Sequence, residues 1–116
     1  MYDACMKDCI FCRIVKGELP SKKVLETENV VSFYDINPSA DTHILIVPKK
    51  HIGTFMDITN KHKNLTSEML GMARSIIKQE KLQNKFRVSF NGGKLQIVPH
   101  LHMHVLGGEL KKNYDK

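Results

Sequence analysis

Apolar residues recur along this chain with two different periods, and each change of period marks an element. Phe11, Ile14 and Val15 fall at helical spacing before Gly17 and Pro20, which predicts a short helix with one core-facing side. Residues 24–28 and 30–35 read as two strands around a turn at Glu28-Asn29, an antiparallel hairpin, and Asp35-Ile36-Asn37-Pro38 reads as its exit loop. The nearly continuous apolar run of residues 43–47 predicts a central strand buried on both faces and ended by Pro48, with His51 on the loop beyond. Leu65, Met69, Met72, Ala73, Ile76 and Ile77 step by threes and fours, so the main amphipathic helix begins between Thr59 and Asn64, and its methionines read as core. Residues 86–91 alternate as a fourth strand, Asn91-Gly92-Gly93 makes a turn, and a last alternating stretch closes the sheet. These elements predict an α+β domain: a five-stranded, mainly antiparallel sheet with one long and one short helix, in a single domain over 1–116 whose residues 1–8 and 109–116 are tails.

The last stretch, His100-Leu101-His102-Met103-His104-Val105-Leu106, carries half of the six histidines. On a strand, side chains alternate between faces, so the three imidazoles share one face while Leu101, Met103 and Val105 enter a core. Neutral imidazole serves as nucleophile, proton carrier or metal ligand near neutral pH. The bland alternative is a surface strand with polar residues outward, but Lys, Thr or Glu would fill such positions equally well.

Composition narrows the setting. With 41% hydrophobic and 26% charged residues, the chain is an ordinary globular one. A net charge of +6 favours anionic partners, yet the lysines are scattered and lack interleaved aromatics, so small anionic ligands fit better than nucleic acid. No signal peptide or membrane-length apolar run is seen, which points to the cytoplasm and to reduced thiols. The three cysteines, Cys5, Cys9 and Cys12, therefore argue against a disulfide framework, and Cys9-Ile10-Phe11-Cys12 has metal-ligand or redox spacing.

The alternation His-φ-His-φ-His-φ-φ, with φ apolar, resembles the signature of the histidine triad family at every position from His100 to Leu106. The blocks spanning residues 9–21, 33–38 and 43–51 resemble other blocks of that family in the same order, and Val105-Leu106-Gly107-Gly108 is similar to its Hint-like branch of dimeric purine nucleoside phosphoramidate hydrolases. That resemblance implies a homodimer with a purine nucleotide substrate, in which His102 attacks the α-phosphorus to form a nucleotidyl-imidazole that water then hydrolyses. It implies that the main-chain carbonyl of His100 orients the His102 ring. It further implies that His104, Asn91 and Gln96 hold phosphate oxygens, that His43 lies beside the catalytic ring, and that Asp35 accepts the ribose hydroxyls. Ile10, Phe11, Ile14, Phe33, Ile36 and Leu45 would enclose the base; plain core packing is the competing account of these six, and for Ile14 and Leu45 the two are evenly matched.

Some members hold a structural zinc through a set that here would be Cys9, Cys12, His51 and His100, a reasonable tetrahedral combination of two thiolates and two imidazoles. The alternative is that the cysteines are small buried hydrophobes. The sequence departs from the branch between Asn91 and His100, where two residues are missing and Ile97 replaces a hydroxyl-bearing residue; isoleucine cannot donate a hydrogen bond. Two rival functions stay open. One is dinucleoside polyphosphate hydrolysis or nucleotidyl transfer by the same nucleophile, and the other is a zinc-stabilised nucleotide-binding module with little catalysis.

Overall fold

The protein is described by a computed structural model covering residues 8–111. Cys5 and the outer parts of both predicted tails lie outside the described residues. In chain order the elements are α1 (Ile10–Val15), β1 (Lys23–Glu26), β2 (Val30–Tyr34), β3 (Ala40–Pro48), α2 (Lys63–Gln79), β4 (Phe86–Phe90) and β5 (Met103–Leu110), with short 3-10 turns before α2 and after β4. The five strands form one sheet in the order β1-β2-β3-β5-β4, every pair antiparallel.

The central strand is covered on both sides. Ile44 and Ile46 of β3 join Met103 and Val105 of β5 on the face that α2 covers with Met69, Met72, Ala73, Ile76 and Ile77. Leu45 and Val47 project to the other face with Val31 and Phe33, where Phe11, Cys12 and Ile14 of α1 close over them. Burying each such side chain contributes about 1.5–3 kcal/mol. That exceeds the intrinsic helix preference of the residues in α2, so tertiary packing of the apolar stripe holds this helix.

Three boundaries differ from the pattern in the sequence. β3 begins at Ala40, three residues before the apolar run, because its polar start is paired with the end of β5. β5 begins at Met103, so His100 and His102 precede the ladder. The register explains this: Ile46 faces Met103, and two residues later Pro48 has no N–H to give the ladder, while its carbonyl accepts from His100 Nε2 at 2.8 Å and the Leu101 N–H donates to the Ile52 carbonyl at 2.6 Å. The burial alternation survives, with Leu101 and Met103 in the α2-side core. Finally, β5 runs through Gly107-Gly108 to Leu110, two residues into the stretch read as a tail. Its pairing with β3 slips by one residue there, and Gly108, at φ +80°, takes the left-handed conformation that this bulge requires.

Candidate active site and metal centre

Residues directly opposite in an antiparallel pair share a face. Leu45 lies opposite His104, and His43 opposite Leu106, so β3 and β5 place His43 and His104 on the α1 side of the sheet. The Asp35 N–H donates to the His43 carbonyl at 3.0 Å, which holds the exit of β2 beside the histidines.

His102 Nδ1 lies 2.7 Å from the main-chain carbonyl of His100. A carbonyl only accepts, so Nδ1 carries the proton and Nε2 keeps its lone pair. Phe11 stands edge-on to this ring, with centroids 5.1 Å apart and planes at 82°. Proton positions on the other two rings follow from a chain of contacts. The Ser39 N–H donates to His43 Nδ1 at 2.9 Å, so neutral His43 is protonated on Nε2 and donates to His104 Nδ1, also at 2.9 Å. His104 is then protonated on Nε2, 3.2 Å from the side-chain amide of Asn91; since two donors do not bond, the amide presents its oxygen there. Asp35 Oδ2 is 3.4 Å from His43 Nε2.

Burial pushes His102 and His43 below the ordinary value of 6.5, with Asp35 acting in the opposite direction on both. Burial, reinforced by His102 and His43, takes His104 down to about 4. All three rings are therefore neutral at pH 7, the form in which imidazole attacks an electrophile.

Of the six apolar residues ascribed to a base slot, Phe11, Ile14, Phe33 and Leu45 are buried together in the α1-side core, whereas Ile10 and Ile36 are exposed, Ile36 at 91%. Gln96 has its amide nitrogen engaged by the carbonyls of Gly53 and Val98, at 2.8 and 2.9 Å, so it braces two loops. Ile97 is exposed. One residue that the sequence reading did not single out is Ser89, opposite His104 on β4 and buried at its hydroxyl. Its signal was its even spacing with Asn91 on the polar side of the fourth strand, which gains meaning only once that strand is paired with the histidines.

A second cluster adjoins the first. The ligand atoms of Cys9, Cys12, His51 and His100 lie within 4.8 Å of one another. Cys9 Sγ is 3.2 Å and Cys12 Sγ 3.5 Å from His100 Nδ1, while Cys12 Sγ is 3.3 Å from His51 Nδ1. Such separations suit the edges of a tetrahedron about one ion with bonds of about 2.0–2.3 Å. The tautomer fits too: His100 Nε2 lies 2.8 Å from the Pro48 carbonyl and donates to it, so Nδ1 turns a lone pair toward the thiols. Burial raises the Cys9 thiol and lowers His51 and, to about 4, His100. His100 thus presents its ring to the metal ligand set and its carbonyl to His102.

Comparison with known proteins sets this geometry in context. The family model described as the scavenger mRNA decapping enzyme C-terminal binding domain matches residues 8–116. A 14 kDa zinc-binding protein from Zea mays is 43% identical over 103 residues, covering 85% of this chain and 80% of that protein. The adenosine 5'-monophosphoramidase HNT1 of Candida albicans is 36% identical over 107 residues, covering 84% and 68%. Among solved structures, a histidine triad protein from Clostridium difficile superposes with a TM-score of 0.87 at 43% identity, covering 96% of this chain and 99% of that one. With a family model spanning nearly the whole chain, relatives above 30% identity and a shared fold, this chain belongs to the histidine triad family.

Proposed function

We propose that the protein hydrolyses purine nucleoside phosphoramidates or related adenylates at the α-phosphate through a covalent nucleotidyl-histidine. The observation that carries this reading is the 2.7 Å contact of His102 Nδ1 with the His100 carbonyl, which leaves Nε2 as an unprotonated nucleophile on a buried neutral ring. In the first step His102 Nε2 forms a bond to phosphorus while the bond to the amine breaks; the electron pair leaves with the amine nitrogen, which takes up a proton from solvent. Water then displaces the imidazole, releasing the nucleoside monophosphate and a proton. Holding the cationic ring oriented makes the second displacement easier than direct attack by water on the substrate. His104 and Asn91 hold phosphate oxygens, His43 fixes the His104 ring, and Asp35 takes the ribose hydroxyls. Such fixed polar groups stabilise charge that grows in the transition state. Ile10 and Ile36 offer the base its exposed apolar contacts, over the floor made by Phe11, Phe33 and Leu45. Gln96 acts on phosphate only through the loop it braces.

The name of the Candida albicans relative supports the phosphoramidate substrate. That of the Zea mays relative supports zinc at Cys9, Cys12, His51 and His100, where the metal is structural and ties α1 to the catalytic segment. A cytoplasmic location suits Cys9 and Cys12, which are not joined in a disulfide. A second reading, P–O cleavage in a polyphosphate-bridged nucleotide, is favoured by the decapping-enzyme description of the matching family model.

Incubation with adenosine 5'-phosphoramidate should yield AMP, and acid-quenched enzyme should carry an adenylyl group on the peptide containing residues 100–104. His102→Ala should abolish both while leaving AMP affinity within about tenfold, because the ring is a nucleophile and not the main anchor. Activity persisting in that variant would overturn the assignment. Faster release of AMP from a diadenosine polyphosphate than from the phosphoramidate would favour the second reading.

A further inference from the structure

Among the described residues, one buried side-chain nitrogen or oxygen has no hydrogen-bond partner: Ser89 Oγ. A buried hydroxyl in that state is destabilising, and an alanine on the same strand would avoid the penalty. The position is informative. Ser89 on β4 pairs with His104 on β5, so both side chains lie on the histidine face. Its neighbours confirm the parity, since Val88 and Phe90 pack toward the α2-side core while Asn91, next on the Ser89 side, reaches His104 Nε2.

We infer that Ser89 is a specificity-determining residue whose hydroxyl binds the group leaving phosphorus, selecting amines or alcohols with a hydrogen-bonding atom near the departing nitrogen or oxygen. This rests on the nucleotidyl-histidine reading proposed above. In the sheet order β1-β2-β3-β5-β4, Asp35 follows β2, the histidines at phosphorus belong to β5 and the segment leading into it, and β4 is the strand beyond. A nucleotide laid across the sheet with its ribose at Asp35 and its phosphorus at His102 turns its remaining substituent toward β4. A serine hydroxyl both donates and accepts, so it serves a leaving group of either polarity. The adjoining loop offers no such group at Ile97, which is apolar, and the amide nitrogen of Gln96 is engaged by two carbonyls.

The test compares two adenosine 5'-phosphoramidates, of ethanolamine and of propylamine, which differ by a terminal hydroxyl against a methyl. Wild-type protein should favour the ethanolamine compound in kcat/KM by roughly five- to tenfold, the worth of one hydrogen bond that the methyl leaves unmade. Ser89→Ala should collapse that ratio to within about twofold, and Ser89→Thr, which keeps the hydroxyl, should restore it. Equal use of both substrates by the wild type, a Ser89→Ala variant slowed equally on both, or a loss that tracks a change in mass by light scattering would overturn the inference. The adenylyl adduct separates this from failure of the underlying reaction: adduct without discrimination rejects the role of Ser89 alone, whereas no adduct and no turnover reject both.

Discussion

One backbone carbonyl settles which nitrogen of His102 is free to react, and a chain of two contacts from Ser39 through His43 settles the protonation of His104. These assignments hold only while the rings are neutral, and burial secures that. The same burial has a thermodynamic signature. His104 takes up its proton at about 4 when folded, whereas an unfolded chain takes it up near 6.5. Between those values the unfolded state binds more protons, so stability falls as pH drops from about 6.5 toward 4, by up to about 1.4 kcal/mol per pH unit for one such group. His43, also pushed down, adds to the fall. Urea unfolding at pH 6.5, 5.5 and 4.5 should show declining stability in the wild type and a shallower decline in His104→Asn. Parallel profiles would show that His104 titrates normally in the folded protein.

At the scale of elements, α1 is the piece that sequence propensity supports least. Six residues fall well short of the length at which an isolated helix is stable in water, so contacts elsewhere must fix it. Its cap is Cys9, whose sulfur accepts the Cys12 N–H at 3.3 Å, and both sulfurs also face His51 and His100. With zinc at that set, one ion joins the helix, the loop after β3 and the segment entering β5, so metal affinity is folding free energy. Purified protein should contain close to one zinc per chain. Cys12→Ser should lower zinc content and melting temperature together, with His102 still able to form the adduct in the folded fraction. Elemental analysis showing no zinc in protein of unchanged stability would return Cys9 and Cys12 to the role of small core residues.

The whole molecule has one sheet edge at β4 and, beside it, an apolar cavity of about 320 Å³ lined by residues that include Phe55, Ile58, Met69, Leu70 and Phe90. Leu70 is 55% exposed and Phe86 51%. A small domain buries a limited fraction of its apolar surface alone, and an edge strand beside exposed aromatic and aliphatic side chains suits pairing with a second copy about a two-fold axis. We therefore expect the homodimer that the family resemblance implies, with this face at its centre. Light scattering at micromolar concentration should give twice the 13.3 kDa chain mass, and Leu70→Lys should shift it toward the monomer. Because Leu70 is half exposed, that substitution changes the isolated fold little. A wild-type monomer would count against the dimer.

Much of this protein is local, and local features are legible in order along the chain. The apolar run at residues 43–47, the three- and four-residue steps of α2 and the alternation around His104 gave the sheet, the main helix and the histidine face, because strand and helix periods are properties of adjacent residues. The CxxC spacing likewise marked Cys9 and Cys12 as candidate ligands before their partners were seen. Tertiary structure decided what depends on pairing between distant segments. Only the register of β3 against β5 shows that the ladder stops at Met103 and that a proline sets that limit. Only the approach of residue 51 to residues 9, 12 and 100 makes four separated side chains one site. The role of Ser89 is the sharpest case. In the sequence it is one serine on the polar side of an alternating strand, and it acquires chemistry solely because β4 folds back to set it across from His104.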